Sequence, residues 1–88
     1  MGSANTVVYV LRRDELEPTR FGFIVGKAVG TAVKRNRVRR RLRAIGRGVL
    51  ESRPAGADIV VRALPGSSEA SWDMLSGEVV GAIDRSGS

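Results

Sequence analysis

Apolar residues recur along this chain with two different periods. The segments TVVYVL (Thr6–Leu11), RFGFIV (Arg20–Val25) and DIVVRAL (Asp58–Leu64) are rich in β-branched and aromatic residues, which predicts three strands. With a period of two, Val7, Tyr9 and Leu11 share one face of the first strand, and Phe21, Phe23 and Val25 share one face of the second. Between the second and third strands the period changes. Val38, Leu42, Ile45 and Val49 recur at helical spacing, predicting an amphipathic helix that runs to about Ser52. A last helix is predicted from about Ser68 to Arg85. There Trp72, Leu75, Val79 and Ile83 share a face, and Glu69 and Asp73 stand in the first turns, where the helix dipole favours acids.

The connectors are polar or turn-forming. RRDELEPT carries Pro18 and suits an antiparallel hairpin turn between the first two strands, while RPAGA leads into the third strand, which Pro65 and Gly66 end. Gly26 and Gly30 bracket GKAVG, a loop in which backbone can approach a ligand closely.

The central helix carries a second stripe. KRNRVRRRLR (Lys34–Arg43) holds seven cations and one asparagine, with only Val38 and Leu42 apolar. Asn36, Arg40, Arg43 and Arg47 repeat the apolar spacing two residues earlier, and two residues are about 200° of rotation, so this stripe lies opposite the apolar one. Arg39 falls at its edge, with Arg37 and Arg41 on the far flank. A disordered basic tail has no reason to keep that register. Like charges on neighbouring turns repel by a few tenths of a kcal/mol per pair, a cost that an anionic partner would offset. Gly46 and Gly48 weaken the last turns by about 1 kcal/mol each relative to alanine.

Composition narrows the partner. The net charge of +6 is concentrated: eleven cations face one acid from Arg20 to Arg53, giving +10, against −1 before this stretch and −3 after it. Arginine outnumbers lysine seven to one between Lys34 and Arg47, and its planar fork grips phosphate bidentately and stacks on bases. This is the footprint of a nucleic-acid binder. An anionic membrane is the competing target, but such a helix calls for bulky aromatics opposite the basic face, and Val38, Leu42, Ile45 and Val49 are better suited to a sheet. A solvated basic face without a partner is the plain alternative.

Histidine and cysteine are absent, which removes disulfides, thiolate nucleophiles, the usual zinc sites and the side chain best suited to proton transfer near neutrality. The only clustered carboxylates, in DELE, belong to a polar turn, and GKAVG lacks the flanking residues of a P-loop. Asn36 either pairs with a base edge or caps the helix. The phenylalanines either stack unpaired bases or pack in a core, and the Tyr9 hydroxyl prefers a wet edge. No apolar run reaches the length of a membrane span, so a cytoplasmic protein is the expectation.

The stretch RFGFIVGKAVGTAVKRNRVRRRLRAIGR, followed in order by ADIVVRALPG and SWDML, resembles the bacterial ribonuclease P protein subunit from Thr6 to about Arg85. The resemblance implies an α+β two-layer sandwich, similar to the second domain of a small-subunit ribosomal protein, with a left-handed strand–helix–strand crossover. It implies an RNA subunit that holds the active site and the Mg2+ ions, and a protein that binds this RNA and the 5′ leader of precursor tRNA. No catalytic side chain is then expected in this chain. Lys27, Ala32, Val33, Arg35, Asn36, Arg37, Arg39, Arg40 and Arg43 fall on the family's RNA-contacting motif, Lys34 and Arg47 extend the basic surface, and Tyr9 matches the aromatic of the leader cleft. Gly26 replaces the usual serine and Ala28 a frequent second lysine, which implies one fewer phosphate contact. A general or ribosome-associated RNA-binding module without a role in cleavage is the alternative.

Residues 6–85 read as a single domain, residues 1–5 as a cloning scar or disordered start, and residues 86–88 as a disordered tail. The resemblance further implies that a preceding helix and the start of a strand are missing. Apolar sheet surface would then be uncovered, inviting self-association or exchange of elements between copies.

Overall fold

Alternation of apolar and polar positions decides which side of each strand is buried, and long-range pairing decides which strands meet. The computed structural model describes residues 5–86. Strands β1 (Thr6–Arg12), β2 (Arg20–Ile24) and β3 (Ala57–Ala63) form one sheet in the order β1-β3-β2, with β3 antiparallel to β1 and parallel to β2. Helix α1 (Ala32–Ser52) makes the crossover from β2 to β3, and α2 (Trp72–Ser86) follows β3. Short 3₁₀ turns at Lys27–Val29 and Pro65–Ser68 lead towards the two helices.

The expected hairpin between β1 and β2 does not form. β3 takes the central place because its alternate residues Ala57, Ile59, Val61 and Ala63 are all buried, and a strand flanked on both sides keeps them dry. The connector instead straps the start of β3. The Arg13 amide donates to the Gly56 carbonyl at 2.9 Å, the Gly56 amide to Glu17 at 2.9 Å, and the Thr19 amide to Pro54 at 3.0 Å. Gly56 turns there with φ of 99°, a conformation that other residues rarely adopt.

Both helices contribute to a single core. Val38, Leu42, Ile45 and Val49 of α1 and Leu75, Val79, Ala82 and Ile83 of α2 are buried with Val8, Ile59 and Val61 of the sheet. Phe21 and Phe23 pack against the same cluster. Glycine at position 46 lets α1 approach β2: a Cβ there would lie 2.5 Å from Phe21 Cδ1.

The strand ends shift by one residue from the sequence reading, and three further differences at the helix and the chain ends have a visible cause. α2 begins at Trp72 rather than Ser68, because Pro65–Ser68 closes its own turn and the Ser71 hydroxyl caps the helix by accepting from the Met74 amide at 3.1 Å. Trp72 therefore sits in the first turn, remains 43% exposed and covers a groove between the helices with Ala44, Ile45 and Val80 rather than filling the core. Asn5, read as part of a disordered start, is buried. Its backbone and side-chain amides donate to the Glu78 carboxylate at 3.1 and 2.6 Å, beside Thr6 Oγ1 at 3.0 Å. Ser86 closes α2, its hydroxyl donating to the Ile83 carbonyl. The readings of residues 1–4 and 87–88 lie outside the described residues.

Candidate nucleic-acid interface

The loop between β2 and α1 sets the helix start. The Val29 amide donates to the Gly26 carbonyl and that of Gly30 to Lys27, both at 3.1 Å, and Val29 is buried as an anchor. Gly30 has φ of 144°, and a Cβ there would come within 2.9 Å of the Lys34 side chain, so the tight passage into the helix requires glycine. Thr31 is the N-cap, its hydroxyl accepting from the Lys34 amide at 3.4 Å. Asn36 is thus not the cap. It lies in the second turn, where its Oδ1 accepts from Arg39 Nη1 at 3.0 Å.

With Val38 and Leu42 at 0% exposure, the opposite side of α1 must face away from the sheet. Val33, Asn36, Arg39, Arg40 and Arg43 line a shallow depression there. Lys27, Lys34, Arg37, Arg40, Arg43 and Arg47 are exposed, and Arg35 and Arg39 are half-buried. Arg39 is held by Asn36 and by the Val25 carbonyl, whereas Arg40, Arg43 and Arg47 pair with no acid among the described residues. The surface is therefore a cation array with its anions elsewhere. Arg41 leaves the array: its guanidinium donates to the Ala70 carbonyl and braces α1 against the turn before α2.

The aromatic candidates part company. Phe21 and Phe23 pair across the ladder with Ile59 and Val61 on the helix-covered face, so they are core residues. Tyr9 pairs with Val60 on the other face and is 54% exposed. Around it the outward residues of the three strands are Val7 and Leu11, then Asp58, Val60 and Arg62, then Arg20, Gly22 and Ile24. Tyr9 and the arginine array consequently lie on opposite sides of the two layers.

At one end of the open sheet face Asp58 is clasped by two arginines. It accepts from Arg20 Nε at 2.9 Å and Nη2 at 3.0 Å, and from Arg13 Nη1 at 3.0 Å. The Arg20 hydrogen bonds, helped by Arg13, hold the Asp58 carboxyl below the usual carboxylate range, and the same bonds raise Arg20. Local sequence pattern assigns no role to Asp58, Arg13, Arg20 or Arg62. The outward parity of Asp58, Val60 and Arg62 in DIVVRAL was the available signal, but which side is outward depends on where α1 packs. Among the described residues no group of three or more acids is gathered that could hold a metal ion, and no helix is long and apolar enough to cross a membrane.

Comparison with known proteins agrees with this architecture. A family profile described as Ribonuclease P matches residues 1–87. The chain is similar to the ribonuclease P protein component of Clavibacter michiganensis, 48% identical over 94% of this chain and 74% of that one. It is 48% identical to that of Pseudarthrobacter chlorophenolicus over 94% of this chain, but spans only 61% of the relative's length. Among solved structures, RNase P protein from Thermotoga maritima, in complex with 1-(4-fluorophenyl)-2-thiourea, superposes with a TM-score of 0.80 at 26% identity, covering 97% of this chain and 82% of that one.

Proposed function

We propose, from the premise that this chain belongs to the ribonuclease P protein family, that it binds the catalytic RNA subunit through the outward arginines of α1 and the 5′ leader of precursor tRNA through the open sheet face at Tyr9. The observation that carries this reading is the arginine array itself. Its cations are anchored on a helix whose other side is fully buried, and Arg40, Arg43 and Arg47 are not neutralised by acids among the described residues. A preorganised array of this kind neutralises phosphates without first ordering a flexible segment.

In this reading the protein is the non-catalytic half of a cytoplasmic tRNA-processing endonuclease, and Mg2+ is held by the RNA subunit. Among the described residues no three acids gather to hold a metal ion, and in this reading the chain's contribution is to bind, screen charge and position. Arg40 and Arg43 grip RNA phosphates, Asn36 orients Arg39, and Lys27 and Lys34 extend the surface around the loop. On the opposite side Tyr9 offers an exposed ring on which an unpaired base can stack. Two separate RNA-binding faces suit a protein that bridges an RNA subunit and a substrate.

The test is binding to the RNA subunit across a salt series, together with cleavage of precursor tRNA by that RNA at physiological magnesium. Arg40→Ala and Arg43→Ala should each weaken binding and reduce the salt slope by about 0.7–0.9, one phosphate contact apiece. An unchanged slope means the array points away from the RNA. Binding without stimulation of cleavage would instead favour a general RNA-binding module.

A further inference from the structure

The open sheet face holds one cation, beyond the paired Arg20, that the arginine helix does not explain. Arg62 lies outward on the central strand, opposite Val7 of β1 and Ile24 of β2. Its side chain is exposed and has no hydrogen-bond or ion-pair partner among the described residues. Its neighbours on this face are apolar: Ile24 is 55% exposed, Val60 36% and Tyr9 54%. The carboxylate of the same face, Asp58, is already taken by Arg13 and Arg20, four residues along the strand.

The surface between Tyr9 and Arg62 is open. Val60 pairs with Tyr9 on one side and with Gly22 on the other, and nothing lies within 4 Å of where a Gly22 Cβ would be. Arg62 stands one pleat repeat beyond Val60, the partner of Tyr9, so Tyr9 and Arg62 are diagonal neighbours about 7–8 Å apart across the ladder, within reach of one extended nucleotide. An aromatic ring, an open surface and an unpaired guanidinium at that spacing match the alternation of base and phosphate in single-stranded RNA. The charge pattern excludes a basic partner, and the exposed ring and open width suit a flat base better than a lipid chain.

We infer that Arg62 grips the phosphate next to the base that stacks on Tyr9, and so sets the register of a single-stranded RNA segment on the open sheet face. This rests on the reading of that face as the leader-binding surface. An arginine fork restricts where the phosphate sits, whereas a stacking ring alone accepts any base at any offset. The Asp58 clasp keeps Arg20 from competing for the same strand.

The test uses the assembled particle of RNA subunit and this protein, with precursor tRNA carrying a leader of several nucleotides or none. Arg62→Ala should weaken binding of the leadered substrate about five- to tenfold, leave the leaderless one unchanged, and lower the salt slope by about 0.7, the value for one contact to a single strand. Arg62→Lys should recover the slope but only part of the affinity. Methylphosphonate replacement along the leader should abolish the effect of Arg62→Ala at one linkage only. If the unaltered protein discriminates by leader length and Arg62→Ala retains its affinity and slope, or if the methylphosphonate effect is spread evenly over linkages, this inference is overturned while the leader reading stands. If the unaltered protein shows no dependence on the leader, both fall.

Discussion

Two glycines two residues apart in α1 should respond to alanine with opposite signs. Gly46 and Gly48 each weaken the helix by about 1 kcal/mol relative to alanine, and by sequence they are equivalent. The packing separates them. At Gly48 a Cβ meets nothing within 4 Å, so Gly48→Ala should collect the propensity gain and stabilise the domain by up to about 1 kcal/mol. At Gly46 the new Cβ would lie 2.5, 2.7 and 3.0 Å from Cδ1, Cε1 and Cγ of Phe21. Relief needs the ring to move by about 1 Å, because carbon–carbon contacts settle at roughly 3.5–4.0 Å. The ring is packed against the core cluster, so the overpacking costs about 2–3 kcal/mol and exceeds the propensity gain, leaving a net loss of about 1–2 kcal/mol. Urea unfolding followed by circular dichroism measures both. With a slope near 1 kcal/mol per molar for so small a domain, the midpoints should separate by about 2 M or more. The reasoning is refuted if Gly46→Ala raises the midpoint as Gly48→Ala does, since that would mean the ring yields freely. Combining Gly46→Ala with Phe21→Leu should show non-additivity, because the two changes share one contact.

Other perturbations probe different layers of the argument. Leu42→Asp places a charge at a site with 0% exposure and should abolish the cooperative transition by circular dichroism; a folded variant that loses RNA would mean the faces of α1 are reversed. Glu78→Ala leaves the Asn5 amides and the Thr6 hydroxyl without their acceptor, and should lower stability by about 2–3 kcal/mol in denaturant titration. The Asp58 clasp predicts a pH effect of definite sign. Because folding lowers the Asp58 pKa, its stabilisation is present above the ordinary carboxylate pKa near 4 and is lost as pH falls through the lowered folded value. Asp58→Asn should therefore narrow its stability difference from the parent in strongly acid solution; a difference that stays constant from pH 7 to pH 2 contradicts the assignment.

Much of the candidate interface was legible in the chain because it is local. A helix imposes its own angular order, so Val38, Leu42, Ile45 and Val49 place Asn36, Arg40, Arg43 and Arg47 on the far side without reference to any other element. The same holds for Val7, Tyr9 and Leu11 within one strand, since alternation is a property of extended backbone. Local order stops at the ends of each element. That β3 lies between β1 and β2 depends on which strand gains most from being flanked on both sides, a comparison across the whole chain. That Tyr9 faces out while Phe21 faces in depends on register, and a slip of one residue would reverse either. The capture of Arg41 by Ala70, the clasp of Arg13 and Arg20 on Asp58, and the resulting isolation of Arg62 join residues up to 45 positions apart. The sequence determined the faces of each element and the sign of their charge; tertiary structure decided which faces look at one another, because pairing energies are shared between distant segments and no single segment contains them.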